Sequence, residues 1–500
     1  MARPKEKDIK RKRLKNEVGD KQRRKKNMNN INRRDFLKAM GAGATVAAGA
    51  ALESCTPKKN TAYDPAGNYS TPVPTGQMTY RTNHNTGDKV SLLGYGCMRW
   101  PMIPNPNGQG EIIDQEQVNR LVDYALEHGV NYFDTSPHYG RGQSERATGI
   151  ALKRHPRDSY YIATKLSTFL DGNGNDPNVA KAGYHRSFEE LQVDYLDYYL
   201  IHGAGLGGFG PGSVTGMQKL HSHYLDIGMH EFLMKEKEAG RIRNMGFSYH
   251  GDIEVLEYMM EMHDKGEAHW DFAQIQMNYQ DWHYPQGLNG VQGEIMYNML
   301  AERNIPIVIM EPLLGGRLSN LPVHLVQRLK ERNPENSVAS WAFRWVGTHP
   351  QVMSVLSGMT YMEHLQDNIR SFSPLVPLTD EENEFLEETT KLLIKYPIIQ
   401  CNNCQYCMPC PYGLDIPGTL LHYNKCVNEG NLPENQGDPN YRKMRQAFLV
   451  GYDRSVPKLR QASHCTGCSQ CTPNCPQRIN IPQEMQRIDK YVEALKQGTL

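Results

Sequence analysis

Asn131-Tyr-Phe-Asp-Thr-Ser-Pro-His-Tyr-Gly140 is a short apolar run that stops on an acid and turns at once into a polar loop with Pro and Gly. It reads as a strand and the loop that follows it. Seven other segments share that character: Ser91–Cys97, Tyr160–Lys165, Tyr195–His202, Arg243–Ser248, Phe272–Asn278, Ile305–Glu311 and Val352–Ser357. Between them lie Asp114–His128, Met229–Ala239, Ile253–Met262 and Gly293–Asn304, where apolar residues recur every three or four positions, as at Val118, Leu121, Val122 and Ala125. Eight β runs alternating with helices predict an α/β fold, a (β/α)8 TIM barrel. The competing architecture is an open doubly wound sheet. Its support is Gly203-Ala-Gly205-Leu-Gly207-Gly208, a G-x-G-x-x-G after a strand, but Phe209-Gly210-Pro211-Gly212 stands where a helix should open, so a loop over the barrel mouth is expected.

Barrel chemistry belongs at the C-terminal ends of strands. Those ends carry Asp134, then Tyr139 on the next loop, Lys165 after the third strand and His202 after the fourth. Taken singly, a strand-end Asp reads as a loop cap and a Tyr as rim packing. Together they make a proton donor: an ammonium beside the phenol is expected to lower its pKa, with Asp134 holding Lys165 charged and His202 orienting a carbonyl. Trp100, Trp282, Tyr279 and His138 are candidates for an aromatic wall suited to a sugar-like substrate, or for rim packing.

Eight of the eleven cysteines fall in two runs, Cys401-x2-Cys404-x2-Cys407-x2-Cys410-Pro and Cys465-x2-Cys468-x2-Cys471-x3-Cys475-Pro. The second fits the bacterial ferredoxin spacing C-x2-C-x2-C-x3-C-P, and the first is one residue short before its fourth Cys. Zinc has little use for four thiolates at this spacing, and C-x-x-C neighbours close only strained disulfide rings. Two 4Fe–4S clusters are expected. In two-cluster ferredoxins the fourth Cys of each run serves the other cluster, which would group Cys401, Cys404 and Cys407 with Cys475, and Cys465, Cys468 and Cys471 with Cys410. The short spacing before Cys410 leaves that grouping open. Both runs continue as C-P-x-x-I/L-x-I-P, a repeat that predicts a smaller α-helical ferredoxin-like domain with two equivalent loops.

Charge is segregated. Residues 1–38 hold 16 Lys/Arg against 5 Asp/Glu, and the remainder holds 40 against 50. The basic segment has no interleaved aromatics, so nucleic acid is not an expected partner. Asn32-Arg33-Arg34-Asp35-Phe36-Leu37-Lys38 resembles a twin-arginine export motif, and the stretch Ala39 to Leu52 is too short and too rich in Gly and Ala to span a membrane. Leu52-Glu53-Ser54-Cys55 resembles a lipobox, so the only expected membrane tie is a lipid on Cys55, with Ala48-Gly49-Ala50 as the alternative cleavage site. The expected location is periplasmic or lipid-anchored at the membrane surface. The boundaries read as 1–55 signal, 56–77 flexible linker, 78–375 barrel and 376–500 cluster domain, with Glu381–Lys395 an amphipathic helix of the last.

The segments Asn131–Gly140 with Ser144-Glu145, Ile162–Lys165, Asp197–His202, Gly246–Ser248, Gln274–Tyr279, Glu311–Leu318 and Leu365–Asn368 resemble those of the aldo-keto reductase superfamily over roughly Met78 to Phe372. With the cysteine runs, the chain resembles the iron–sulfur subgroup. The resemblance implies an enzyme in which NAD(P)H reduces an aldehyde or ketone and Tyr139 protonates the oxygen. It also implies nicotinamide contacts from Ser248 and Gln276, diphosphate contacts from the loop containing Leu313, Gly315 and Arg317 and from Ser357 and Gly358, and adenine contacts from Asp367 and Asn368. Departures stand beside it: Met310 replaces a stacking aromatic, Ser248-Tyr249 replaces a Ser-Asn pair, and Gly358, Met359 and His364 stand where basic residues would hold a 2′-phosphate.

Three functions follow: a carbonyl–alcohol oxidoreductase with a tightly held nicotinamide, a flavin- or carrier-linked dehydrogenase passing electrons outward to a redox partner protein, and an electron-transfer or binding module whose barrel is a scaffold. A pure carrier has no use for Tyr139 beside Lys165, which disfavours the last.

Overall fold

Short runs of Val, Ile, Leu and aromatic residues, apolar on both faces, form strands that must be covered on both sides, and a closed parallel sheet inside a ring of helices does this. The computed structural model describes residues 64–168, 173–207, 213–285 and 290–500. The arginine pair, the apolar stretch behind it, Cys55 and Gly208 lie outside the described residues.

Eight parallel strands close into a barrel: β1 (Leu93–Gly96), β2 (Tyr132–Asp134), β3 (Tyr161–Leu166), β4 (Leu196–Ala204), β5 (Ile242–Tyr249), β6 (Phe272–Gln276), β7 (Ile307–Met310) and β8 (Val352–Ser357), in sequence order around the ring with β8 against β1. Each falls within one of the eight expected segments or overruns it by a residue or two. Register places Gly96 beside Asp134, Asp134 beside Ala163 and Lys165 beside Leu200. The interior is packed by Tyr132, Tyr198, Phe272, Val308 and Met353, with Tyr198 edge-on to both Tyr132 (5.1 Å) and Phe272 (5.0 Å).

A hairpin of Tyr80–Thr82 with Lys89–Ser91 lies at the N-terminal end. There Asp88, Asn83, Tyr198 and Asn244 hydrogen-bond together, and Arg243 bridges Asp88 (3.1 Å) and Asp197 (3.2 Å). That end is filled with paired charge, which leaves the C-terminal end for a cavity. Among the described residues no helix is long and apolar enough to cross a membrane.

Two boundaries differ from the sequence expectation. The helix Asp380–Leu393, begun by a Thr379–Glu382 capping box, buries Leu386 and Leu393 in the barrel core, and its Glu382 pairs with Arg344 at 2.7 Å. It belongs to the barrel by packing, because its apolar stripe has a partner there. The second difference is at the other end. From Asp64 the chain is laid on the barrel as a strap: Pro65 O accepts from Val338 N (2.8 Å), Asn68 N donates to Glu335 O (2.7 Å), Lys330 reaches Ala66 O, and Arg370 lies over the Tyr69 ring. A flexible linker was the expectation, but four barrel residues hold this segment by its backbone and its one aromatic ring.

The tail has its own core of Ile399, Leu414, Ile416, Leu420, Tyr423, Phe448, Tyr452, Ile481, Met485, Ile488 and Leu495. Its two cysteine loops repeat in backbone as in sequence. Two and four residues after the first Cys of each run the chain is left-handed, at Asn403 (φ 57°) and Gln405 (φ 65°), and at Gly467 (φ 74°) and Ser469 (φ 60°). Three residues after the last Cys it is left-handed again, at Gly413 and Arg478. Two residues later an Asx cap starts a helix, Asp415 before Ile416–Asn428 and Asn480 before Ile481–Gln497. Four non-glycine residues accept this costly conformation, at matching positions of the two loops.

Candidate functional site

The C-terminal ends of the strands enclose a cavity of about 850 Å3 lined by all four expected side chains, Asp134, Tyr139, Lys165 and His202. Lys165, 1 % exposed, donates to Asp134 Oδ1 (2.6 Å) and to Thr135 O (2.8 Å). Its ammonium stands 4.9 Å from the centre of the Tyr139 ring, and that ring meets His202 edge-on at 6.1 Å. Burial pushes the Asp134 carboxyl above its ordinary range, and the attraction of Lys165 and its hydrogen bond offset part of that rise. His202 Nδ1 is engaged by the Ser167 hydroxyl, with Ser136 Oγ at 3.4 Å. Burial, then the Lys165 charge, keeps His202 well below the ordinary histidine pKa, so it is neutral near pH 7.

Tyr139 departs from the sequence expectation. Burial drives its phenol well above the ordinary value, followed by Tyr406, Asp134 and Glu311. The Lys165 ammonium faces the ring and gives two of its three donors to Asp134 and Thr135, and it does not offset the loss of water. The resting hydroxyl keeps its proton, the form in which it can give one up as charge develops on a bound oxygen.

Of the residues implied for a dinucleotide, Ser248, Leu313, Gly315, Ser357, Gly358 and Asn368 line the cavity. Ser248 Oγ accepts from Gly203 N (2.9 Å), and Asn368 donates to Ser357 Oγ (2.8 Å). Two do not. Gln276 is turned aside, donating to the buried carboxylate of Asp281 (2.6 Å) and accepting from Gln477 of the tail (3.4 Å). Gln274, two residues earlier on the same face of β6, lines the cavity instead, and its Oε1 has no hydrogen-bond partner. Strand alternation puts both glutamines on one face, and only the competing carboxylate, far in the loop, tells them apart. Arg317 is also turned away: it bonds Gln400, and Asp281, Glu311 and Cys401 surround its guanidinium.

At the far end of the cavity Tyr69 donates to Asp367 (2.7 Å), so the strap covers the residues implied for adenine. The volume of the cavity, its glycine-lined loops and the unpaired Gln274 oxygen beside the four polar groups fit a nicotinamide dinucleotide. Trp100, Tyr279, Trp282 and His138 are absent from the cavity lining. Trp100 donates to Thr148 (3.0 Å), Tyr279 lies in the core, Trp282 packs on Trp345 and His349, and His138 bonds Ser167 O. Among the described residues the phenols that line the cavity are Tyr69, Tyr139 and Tyr406.

Tyr406 belongs to the tail, as do Asn402, Cys404 and Pro476, and all four line the same cavity. The first cysteine run is clamped to the barrel mouth. Arg99 donates to Asn402 O, and Asn402 Nδ2 donates to Glu311 (2.9 Å). Gly315 (φ 67°) approaches so closely that a Cβ there would lie 2.4 Å from Asn402 O. Arg478 pairs with Asp252 at 2.8 Å. None of this was legible in the sequence, because it depends on how two modules meet.

The ten cysteines described are all free thiols. Cys475 acts electrostatically on Cys401, Cys404 and Cys407, Cys471 also acts on Cys407, and Cys465 and Cys468 act on Cys471. Backbone N–H groups of Asn403 and Tyr406 point at the first run's thiols, and those of Gln477, Arg478 and Ile479 at Cys475. N–H donors aimed at sulfur, and the nearness of Cys475 to the first run, suit thiolate ligation of an iron–sulfur cluster. Cys97 and Cys426 are buried elsewhere.

Residues 93–391 match the model of the aldo/keto reductase family, and residues 400–480 that of a 4Fe-4S dicluster domain. An L-galactose dehydrogenase of Arabidopsis thaliana is 23 % identical over 334 residues, 63 % of this chain and 95 % of that protein. An aldo-keto reductase of Mycolicibacterium smegmatis is 38 % identical over 153 residues, 30 % of this chain and 46 % of that one. A solved aldo-keto reductase of Bacillus halodurans aligns at 22 % identity and TM-score 0.48, covering 62 % of this chain and 96 % of its own. The chain belongs to the aldo/keto reductase family, as an oxidoreductase that carries a 4Fe-4S dicluster domain behind its barrel.

Proposed function

We propose that this oxidoreductase interconverts a carbonyl and an alcohol on a small, polar, sugar-like substrate with NAD(P), and that its two clusters serve the same cavity. The observation that carries the reading is the convergence of Tyr139, Lys165, Asp134 and His202 in one cavity with Cys404 in its wall. A bound dinucleotide supplies hydride chemistry at the substrate carbon. Tyr139 gives its proton to the substrate oxygen, or takes it back in the other direction. Lys165, fixed by Asp134, steadies the negative charge that grows there. Neutral His202, set by Ser167, orients the oxygen. Arg99, His250, Glu311 and Asn402 bring polar groups to the substrate end, which supports a hydroxyl-rich substrate where the aromatic wall does not.

The clusters take one electron at a time, and Cys401, Cys404, Cys407 and Cys475 would hold one while Cys465, Cys468, Cys471 and Cys410 hold the other. Cys404 in the cavity wall also favours a second reading: a flavin- or carrier-linked dehydrogenase that sends electrons through the clusters to a redox partner protein. Cofactor extraction from protein purified without oxygen separates the two. One dinucleotide per chain is the expected result, and flavin, or clusters alone, would turn the assignment to the second reading. In the first reading Tyr139→Phe lowers turnover of a carbonyl probe such as glyceraldehyde by about 10²–10⁴-fold, and retained turnover would end it. The Arg33-Arg34 leader supports twin-arginine export, with Cys55 as a lipid acceptor. Globomycin-sensitive processing supports the anchor, and a mature N-terminus upstream of Cys55 excludes it.

A further inference from the structure

The first cysteine run places a second phenol against the first. Tyr406, between Cys404 and Cys407, hydrogen-bonds the Tyr139 hydroxyl and lines the same cavity. Its position is built rather than incidental: its run is held by Arg99, Glu311, the close approach of Gly315, and Arg317 through Gln400. Among the described residues Tyr406 is the one phenol besides Tyr139 at the substrate end of the cavity, and β7 ends there in Met310.

We propose that Tyr406 is a second hydrogen-bond donor to the reacting oxygen, supplied to the barrel by the cluster module. This rests on the reading of Tyr139 as the proton donor. Both hydroxyls belong to the lining of one cavity and are hydrogen-bonded to each other, so an oxygen that enters to take the Tyr139 proton comes within the approach of Tyr406 as well. A carbonyl oxygen entering there replaces the phenol–phenol bond with two of its own, one from Tyr139 and one from Tyr406. The exchange leaves neither buried hydroxyl without a partner. As the carbonyl carbon is reduced and its oxygen gains charge, Tyr139 transfers its proton and Tyr406 keeps its own, donating throughout. Tyr406 therefore acts as an oxyanion-type donor on a preorganised loop.

The test uses holoprotein purified without oxygen, with glyceraldehyde as the probe. Tyr406→Phe keeps the ring and removes the donor. The expected result is a kcat about 10²-fold lower, with KM within a few-fold, dinucleotide affinity by fluorescence titration unchanged, and iron content and cluster electron paramagnetic resonance as in the parent. Tyr406→Gln, which restores an N–H donor without the ring, recovers part of the rate relative to Tyr406→Ala. In a Tyr139→Phe background the Tyr406→Phe loss shrinks, because both act on one oxygen. Parental kcat and KM in Tyr406→Phe overturn the proposal, as does loss of iron in that variant, which would make the side chain structural. Tyr139→Phe separates the layers: if it is inactive and Tyr406→Phe is unaffected, only this inference falls, whereas an active Tyr139→Phe removes the reading beneath it.

Discussion

Replacing Lys165 with Met tests the centre of the barrel by stability as well as rate. In the parent the ammonium is 1 % exposed and gives two hydrogen bonds, to Asp134 (2.6 Å) and Thr135 O (2.8 Å). Methionine fills much of the volume and leaves a buried carboxylate with no counter-charge, a loss of about 3–5 kcal/mol for a broken buried pair. The carboxylate can escape by taking a proton, and the sign follows from that. Burial already raises Asp134, and without Lys165 it rises further, so the folded variant binds a proton more tightly than the unfolded chain. Its stability is therefore greatest below the unfolded value near 4 and is lost as pH rises through the folded one. The deficit against the parent is largest at pH 7–8 and narrows towards pH 5. All five tryptophans lie between residues 100 and 345, so urea unfolding followed by tryptophan emission reports the barrel and not the tail. Lys165→Met/Asp134→Asn should recover part of the loss, having no charge to strand. A Lys165→Met midpoint equal to the parent's at every pH, or a double variant no better than the single, would refute the buried ion pair.

Cys475→Ser should remove the cluster gathered with Cys401, Cys404 and Cys407 and spare the other, while Cys410→Ser does the reverse; iron counts and paramagnetic resonance decide, and a pattern following each run separately would reject the crossed grouping. Tyr69→Ala removes the hydrogen bond to Asp367 and the ring under Arg370; dinucleotide release, followed by fluorescence after dilution, should quicken about 10-fold, the weight of one hydrogen bond, and an unchanged rate would show that the strap does not hold the ligand. Burial, then Lys165, lowers His250 to about 4, and His202 also lies below its ordinary value. The unfolded chain takes up protons near pH 6.5 that the native site refuses, so stability is full above that pH and falls towards pH 4 by on the order of 2–3 kcal/mol for His250; His250→Gln should flatten this acid limb in urea titrations at pH 4.5–7.

The barrel was legible because its signal is repeated eight times and each strand ends where an apolar run meets polar loop residues. Asp134, Tyr139, Lys165 and His202 were legible for a related reason: strand ends of successive βα units must converge at one rim, so residue type and position suffice. Gln276 was misplaced because what withdraws it, the Asp281 carboxylate, acts through a loop conformation that no local pattern encodes. Arg317 was misplaced similarly, drawn off by Asp281, Glu311 and Gln400. The phenol of Tyr139 was expected to titrate low because charge proximity is visible in a sequence and desolvation is not. The helix Asp380–Leu393 was assigned to the wrong neighbour, since amphipathicity says that a face will be covered without saying by what, and the strap was read as a flexible linker because its composition does not show the backbone hydrogen bonds that hold it. Tyr406 was passed over between two cysteines that explained its surroundings completely.

Because Asn402, Cys404 and Tyr406 form one side of the barrel's pocket, the cysteine-rich module is part of the wall that an incoming molecule meets, and a change in its first loop reshapes that wall without altering a strand or helix of the barrel.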